Sequence, residues 1–149
     1  PHKSIIINRG SRHGLRNQMP VVDAQGRLVG RIVAPIGPGE ATVQLITDNL
    51  SSVGVRGVEH PVSGILNGKS DAGDCRMAYV PASDESLVEG EPLVTNGLDR
   101  VFPPDLPVGT IVSIRTDGSL FKSIVVRPAF NFREPAVVAV LTGFAGDGG

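Results

Sequence analysis

The hydrophobic residues fall in short runs rich in Val and Ile, and Gly, Pro, Asn or Asp separates one run from the next. Short runs bounded by turn residues are typical of β-strands. The clearest tight turn is Asp117-Gly118, because Gly adopts the positive φ angles of a hairpin. Only residues 82–88 resemble a helix. The predicted strands are residues 5–7, 19–23, 28–33, 42–46, 53–58, 64–66, 77–80, 92–95, 108–115, 120–127 and 136–141. This pattern predicts an all-β protein.

An internal repeat indicates how the strands are organised. Residues 15–22 match residues 87–94, with Leu, Pro and Val at the same spacings. Residues 29–33 match residues 108–112 in the pattern V-G-x-I-V, and an alternating strand follows each copy. The repeat predicts two similar β-modules side by side. Chance convergence of strands that happen to carry Pro and Gly is the alternative.

The repeated glycines, Gly30 and Gly109, lie inside predicted strands. A glycine in a strand marks a bulge, a bend or a close approach of another backbone, and small barrels close by bending strands at such points. A β-sandwich and a β-barrel both remain open, and bends at these glycines favour small barrels. The predicted division is residues 1–70 for the first module, 71–142 for the second, with the last strand, 136–141, free to rejoin the first, and 143–149 for a flexible Gly-rich tail.

Charge and composition exclude several classes of function. The formal net charge is −1 and the chain has no Lys/Arg run, which argues against a nucleic-acid partner and against a polybasic membrane contact. Cys75 is the single cysteine, so an internal disulfide and a thiolate metal cluster are excluded. No stretch is long and apolar enough to span a membrane. We expect any membrane anchor to lie in a segment outside this sequence.

The candidate catalytic groups do not form a recognisable motif. His13 and His60 lie in turns, and Asp23 and Asp48 are the candidate acids, but no serine has glycine on both sides. Asp74 beside the only cysteine would raise the pKa of its thiol, which is the wrong direction for a nucleophile. Metal-ligand spacings and phosphate loops are also missing. We expect no catalytic residue, no metal and no cofactor.

Three segments resemble the family of the bacterial rod shape-determining protein MreC. Residues 8–33 are similar to its N-x-G, G-[LV]-x-x-G-M-P-V-V and G-L-V-G-x-V patterns. Residues 90–109 are similar to G-D-x-V-x-T-S-G-L-x-G-x-F-P-x-G-[LI]-P-V-G, and residues 120–129 to a strand ending in x-V-x-P-x-A. Departures in the second segment are Asn96 for serine, and Arg100 and Asp105 for glycine. They put in doubt any contact that needs a flexible backbone in that loop.

The resemblance implies two small, six-stranded-type β-barrels arranged as in chymotrypsin-like proteases but without catalytic residues. It also implies a non-catalytic scaffold of the cell-elongation machinery, in the periplasm and anchored to the inner membrane. The implied partners are an elongation-specific class B penicillin-binding protein, an MreD-like membrane protein and further copies of the same protein. The alternative is a chymotrypsin-like serine peptidase or a degenerate relative. A glycan-binding module is a third possibility, disfavoured because the chain has no Trp and a single tyrosine, Tyr79.

Two segments have the composition of a binding surface. One is a Pro-stiffened loop, residues 98–106, which would lose little entropy on docking. The other combines two aromatic residues with an arginine, as interface hot spots do. For the aromatic residues, burial in the core is the competing interpretation. The predicted partner-binding residues are Val101, Phe102, Leu106, Phe130, Phe132 and Arg133.

Overall fold

The computed structural model describes residues 3–69, 73–131 and 137–143, and its regular structure consists of β-strands with one short 3-10 helix, Ser11–His13. The all-β prediction is confirmed. Residues 82–88 form a turn followed by irregular chain instead of the helix-like stretch suggested by the sequence. The strands are β1 (Ser4–Ile7), β2 (Pro20–Asp23), β3 (Leu28–Ile36), β4 (Ala41–Leu45), β5 (Ser52–Gly57), β6 (Ser63–Gly68), β7 (Cys75–Ala78), β8 (Pro92–Thr95), β9 (Pro107–Arg115), β10 (Ser123–Pro128) and β11 (Val138–Val140).

The strands form two antiparallel units. The first is a five-stranded sheet in the order β1-β4-β3-β2-β11. The second is a closed barrel in the order β10-β7-β6-β5-β8-β9. Val21, Val29, Ile32 and Val43 are fully buried in the core of the sheet. Among the described residues, fifteen are buried in the barrel core, and Phe102 is one of them.

The boundary between the units differs from the predicted division at residue 70. β5 and β6, which lie before that residue, belong to the closed barrel. The sheet, in contrast, takes its last strand from the end of the chain, because β11 pairs with β2. Among the described strands, the first unit is therefore an open five-stranded sheet and not a six-stranded barrel. Alternation of apolar residues predicts a strand, but it does not specify the strand with which it pairs.

The sequence repeat corresponds to equivalent strand pairing. Val21 lies opposite Gly30 in the sheet, and Leu93 lies opposite Gly109 in the barrel. Further along, the Ile32–Val43 pair matches the Ile111–Val126 pair, so β2, β3 and β4 correspond to β8, β9 and β10. The register shifts beside each repeated glycine, as in a β-bulge.

Both glycines occupy places where another backbone leaves no room for a side chain. A Cβ atom on Gly30 would overlap the carbonyl oxygen of Gln44, and one on Gly109 would overlap the carbonyl oxygen of Arg127. Each of these carbonyls belongs to the neighbouring strand of the same unit. The close approach predicted from the V-G-x-I-V repeat is present at both positions.

The two units share apolar packing. Leu28, at the start of β3, and Ile46, just after β4, are fully buried in the barrel core although their strands belong to the sheet. Phe130 packs against both cores. The sheet and the barrel are therefore joined by side chains and not only by the connecting chain.

We expect Gly30→Ala and Gly109→Ala each to lower the free energy of unfolding by at least about 2 kcal/mol, because the added methyl group forces two strands apart. Urea denaturation measures the change. The matched control is Gly37→Ala, where the nearest atom to an added Cβ, the carbonyl oxygen of Glu40, is 3.7 Å away. Equal effects at all three positions would show that close backbone approach is not the cause.

Candidate partner-binding surface

The loop between β8 and β9 is organised by one buried threonine. Thr95 is fully buried, and its hydroxyl donates to the carbonyl of Pro103 at 2.6 Å and accepts from the N–H of Leu106 at 2.9 Å. Its backbone N–H and carbonyl also bond to Leu106 and Asp105. Four hydrogen bonds from one residue thus close the loop onto the barrel.

Asp99 fixes the middle of the same loop. One carboxylate oxygen accepts from the N–H groups of Val101 and Phe102, at 3.0 and 3.2 Å. The other accepts from the N–H of Gly54 at 2.9 Å, which ties the loop to β5. Asn96 adds a second link, since its side chain donates to the carbonyl of Val55 at 3.2 Å.

The structure separates the loop residues that we predicted as partner-binding. Phe102 is 1% exposed and lies in the barrel core, which was the competing interpretation, so it offers no surface to a partner. Val101 and Leu106 are half-buried and pack against that core. The exposed apolar side chain of the loop is Leu98, which is 76% exposed; it lies in the predicted loop but was not among the residues predicted to bind a partner. Its exposure depends on the turn at Gly97, and the hydrophobic pattern does not encode that turn.

Leu98 borders a shallow groove of about 260 Å³ on the barrel. Two of its lining residues, Gly54 and Gly64, have no side chains, and Ile65 is another lining residue. The complete lining is Gly54, Ser63, Gly64, Ile65, Asn96, Leu98 and Asp99. This groove, together with Leu98, is called the loop groove below. It is predominantly apolar, and hydrogen bonds hold its rim in place, so it suits an apolar side chain of a partner.

The second predicted segment is only partly described. Phe130 is half-buried between the two cores and has a structural role there. Phe132 and Arg133 lie outside the described residues. Their predicted contact with a partner stays a prediction.

A second exposed apolar patch was missed in the sequence. Tyr79 and Phe121, which are 62% and 42% exposed, meet edge to face with ring centroids 5.7 Å apart. Leu120, beside them, is 82% exposed. The two rings are far apart in the sequence, and the pairing of Pro81 with Phe121 brings them together. Recognising them would have required the strand order of the barrel.

Both histidine rings in the described part of the chain, those of His13 and His60, make contacts within the fold. The Nδ1 atom of His13 accepts a hydrogen bond from the N–H of Gly10 at 2.9 Å. The Nδ1 atom of His60 lies 2.7 Å from the fully buried carboxylate of Glu91, an acid that we had not singled out. The candidate acid Asp23 instead bonds to Arg27, and Asp48 bonds to the N–H of Leu50.

The environment of Cys75 agrees with the expectation of an inert thiol. Cys75 is fully buried, and burial, with a smaller contribution from the charge of Asp74, raises the pKa of its thiol to about 12. The described residues contain no cluster of three metal-ligating side chains. Within the same residues, no helix has both the length and the apolar character needed to cross a membrane.

Comparison with known proteins identifies the family. Residues 1–142 match the model described as rod shape-determining protein MreC, barrel core. The chain belongs to the MreC family. It is 26% identical over 140 residues to the cell shape-determining protein MreC of Escherichia coli, an alignment that covers 93% of this chain and 37% of that protein. The chain spans less than half the length of the curated MreC relatives that it matches.

Solved MreC structures share the fold. The crystal structure of MreC from Pseudomonas aeruginosa is 28% identical, with a TM-score of 0.84 over 93% of this chain and 88% of that chain. A complex between penicillin-binding protein PBP2 and MreC from Helicobacter pylori matches with 24% identity and a TM-score of 0.62, over 75% of this chain and 68% of that one. At that identity, the second likeness shows the fold alone.

Two residues that depart from the MreC sequence pattern have an unusual backbone conformation. Arg100 and Asp105, where glycines stand in the pattern, have φ angles of 59° and 71°. This left-handed region favours glycine and costs other residues about 1–2 kcal/mol. The backbone of this loop therefore has, at both positions, a conformation that glycine adopts most easily. Asp105 also forms an exposed ion pair with Arg56, at 2.7 Å.

Thr95→Val should lower the free energy of unfolding by about 1–3 kcal/mol, because it leaves the buried N–H of Leu106 and the carbonyl of Pro103 without the hydroxyl. Urea denaturation measures the loss. Thr110→Val, on the exposed face of β9, is the control and should change stability by less than about 0.5 kcal/mol. If Thr95→Val were as stable as the control, the hydrogen bonds of the Thr95 hydroxyl would not be what holds the loop in place.

The His60–Glu91 pair predicts a specific pH dependence of stability. The pKa of His60 is raised, chiefly by its hydrogen bond to Glu91. Burial alone raises the pKa of Glu91, but hydrogen bonds from His60 and from the N–H groups of His60 and Glu59 outweigh it and lower that pKa. The contribution of protonated His60 to the free energy of unfolding is therefore complete below the pKa of His60 in the unfolded chain, about 6.5. It is lost as pH rises through the raised pKa of His60 in the folded protein. The contribution of the ionised Glu91 carboxylate is present above the pKa of Glu in the unfolded chain, about 4.3. It is lost as pH falls through the lowered pKa of Glu91 in the folded protein.

We expect His60→Gln to destabilise the protein more at about pH 5.5 than at about pH 8.5. Urea midpoints at the two pH values measure this difference. The control is His60→Gln in a Glu91→Gln background, where removal of the carboxylate should abolish the pH dependence of the His60 effect. An equal destabilisation at both pH values in the wild-type background would contradict the pairing.

Proposed function

We propose that this chain is the barrel part of a non-catalytic MreC scaffold that binds a penicillin-binding protein in the periplasm. Membership of the MreC family supports a role in determining cell shape. The H. pylori structure, which is a complex between PBP2 and MreC, supports a penicillin-binding protein as the partner. Self-association, contact with an MreD-like membrane protein and anchoring to the inner membrane belong to the same proposal. Through these contacts, the scaffold would position peptidoglycan synthesis along the cell.

The observation that carries the partner-binding proposal is the exposed Leu98 beside the loop groove. A leucine side chain that is 76% exposed gains free energy when a partner covers it, at roughly 25 cal/mol per Å² of apolar surface. Thr95 and Asp99 already hold the loop through hydrogen bonds, so docking orders little additional chain. Exposed apolar surface on a fixed frame is the arrangement found in interface hot spots.

The charges around the groove favour a specific orientation of the partner. Arg56 and Asp105 form an ion pair at the edge of the loop, with side chains 33% and 68% exposed. An exposed pair of this kind contributes little to stability, but it presents both signs of charge to an approaching surface. We propose that the apolar contact supplies affinity and that this pair restricts the orientation.

The alternative, a chymotrypsin-like peptidase, is not favoured. Its mechanism needs an imidazole nitrogen that faces a serine hydroxyl while the other nitrogen meets an acid. His60 does meet an acid, Glu91, but this carboxylate also accepts the N–H groups of Glu59 and His60 and so braces the turn after β5. The geometry supports a structural role for the pair.

Leu98→Asp should weaken binding to the class B penicillin-binding protein of the same cell about tenfold or more, which corresponds to about 1.4 kcal/mol. Isothermal titration calorimetry with the purified extracytoplasmic part of that enzyme measures the change. The variant should melt as the parent does, within about 0.5 kcal/mol, because the side chain is exposed. Leu98 is a cleaner test than Val101, whose half-buried side chain packs on the core.

The matched control is Leu120→Asp, an equally exposed leucine in the patch with Tyr79 and Phe121. It should leave the affinity unchanged. A loss of affinity in Leu120→Asp but not in Leu98→Asp would move the interface to that patch and overturn the assignment to the loop groove. If the unmodified chain did not bind, the choice of partner would be wrong.

A further inference from the structure

The barrel presents two aromatic rings to solvent beside the β9–β10 hairpin. Tyr79 follows β7 directly, and its ring meets the ring of Phe121 edge to face, with centroids 5.7 Å apart. In this geometry one ring points its edge at the face of the other, so at least one ring keeps both faces clear of its neighbour. The scarcity of aromatic residues disfavours a glycan-binding module, but the structure places the single tyrosine where a ring face is available.

The backbone of Tyr79 adopts a conformation that is unfavourable for a tyrosine. Its φ angle is 70°, in the left-handed region that favours glycine and strains a residue with a bulky side chain. Burial of the ring does not offset this strain, because the side chain is 62% exposed. Strained residues of this kind are concentrated at sites that bind a ligand or a partner. The ring of Tyr79 is therefore a candidate for a contact outside the chain.

A shallow cavity of about 300 Å³ lies beside the two rings, a volume at the lower end of the range for small-molecule sites. Its lining includes the cations Arg76 and Lys122, the carboxylate of Asp117 and the hydroxyl of Ser123. These groups donate and accept hydrogen bonds, as the hydroxyl groups of a sugar require. The lining thus combines aromatic surface with donors and acceptors.

Hydrogen bonds hold the cavity in shape. The N–H of Lys122 donates to the carbonyl of Val80, and the N–H of Ala82 donates to the carbonyl of Leu120, each at 2.8 Å. These bonds fix the end of the hairpin against the chain that follows β7. A ligand would therefore find the two rings already in position, and its binding would order little additional chain.

The outer face of the barrel beside the cavity carries an excess of positive charge. Together, β7, β9 and β10 contain three arginines and no acidic residue. Arg76 lies opposite Val125, and Arg115 lies opposite Ser123. Ser123 and Val125 flank the fully buried Ile124, so their side chains point out of the barrel. Arg76 and Arg115, both exposed, are thus on the same outer face on either side of β10.

Two acids balance only part of this charge. The pKa values of Asp117 and Asp84 are lowered, mainly by hydrogen bonds from the serine two residues further on and less by the charges of Arg76 and Lys122 respectively. Within the described part of the chain, Arg76, Arg115 and Lys122 form no ion pair. Three cations and two acids leave one positive charge in excess, which complements a ligand with one carboxylate.

We propose that this cavity, called the ring cavity below, binds an acidic sugar, a pyranose ring that carries one carboxylate. The C–H groups of the sugar pack on an exposed face of Tyr79 or Phe121. The carboxylate pairs with Arg76 and Lys122, and a sugar hydroxyl donates to Asp117. The site is separate from the loop groove and does not rest on the proposed function.

A membrane surface fits the same patch less well. Leu120 is 82% exposed at the end of the hairpin, but the exposed carboxylate of Asp117 lies three residues before it. That carboxylate would be repelled by anionic headgroups. A hydroxyl-rich ligand, in contrast, can use it as an acceptor.

The test uses the intact chain with N-acetylmuramic acid as the probe. N-acetylglucosamine is the matched control, because the two sugars differ only in the lactyl group that carries the carboxylate. Backbone amide shifts in two-dimensional NMR report both the site and the dissociation constant. The acid should shift the amides of Tyr79, Lys122 and Ser123 and bind about tenfold more tightly than N-acetylglucosamine. The amides of Gly54 and Ile65, in the loop groove, should not shift.

Two variants separate the contribution of the carboxylate from that of the sugar ring. Arg76→Gln should weaken binding of the acid about fivefold or more and leave binding of N-acetylglucosamine unchanged, because only the carboxylate pairs with the cation. Tyr79→Gly should weaken binding of both sugars, and it should remain folded because glycine adopts the positive φ angle without strain. Arg9→Gln, which changes an exposed arginine of the five-stranded sheet, is the control and should alter neither affinity.

Three results would overturn the proposal. The first is equal affinity for the two sugars, or no shift with either at any soluble concentration. The second is unchanged binding of the acid to Tyr79→Gly. The third is sedimentation of the chain with phosphatidylglycerol vesicles that Leu120→Asp abolishes, which would assign the patch to a membrane. Capture of a penicillin-binding protein, or its absence, bears on none of these results.

Discussion

The fold depends on two points at which a strand carbonyl occupies the place of a side chain, at Gly30 and Gly109. A regular strand buries every second residue on one face. In these strands, however, Val29 and Ile32 are buried in one core, and Val108 and Ile111 in the other, at a spacing of three. The glycine and the adjacent register shift make that spacing possible, because they turn the strand between its two buried side chains. Without them, one of each pair would face solvent.

The same bend explains why the two units form one body. Leu28 and Val29 are consecutive in β3, so their side chains leave opposite faces, and they enter the barrel core and the sheet core respectively. Ile46 also extends from the sheet into the barrel core, and Phe130 contacts both. The surface of the barrel, including the loop that Thr95 closes, is thus supported by two cores that pack against each other. A scaffold that acts through contact needs such a frame, since a rigid surface loses little entropy on binding.

Much of this architecture could be predicted from the sequence because it depends on local chemistry. The strands, the repeat and the close approach at the repeated glycines follow from apolar runs and from the absence of a side chain. The division at residue 70 was wrong for β5 and β6, because strand partners are chosen by contacts distant in the sequence. For the same reason, the degree of exposure of Leu98 and the Glu91 partner of His60 could not be read from the pattern. Each depends on the direction that a turn gives to one side chain.

The comparison of the two units shows how the same repeated module treats its strand edges in two different ways. Unpaired backbone groups at a strand edge can pair with other chains, and the copy that forms the barrel avoids this by closing. In the other copy, the outer strands are only four and three residues long. Strands this short resist unspecific pairing, because few backbone groups are available. They still retain the register of the closed copy on both sides, from the Val138–Asp23 pair to the Ile5–Val43 pair. That shared register follows from the repeated side chains, because pairing places the same apolar residues on the core face in both copies.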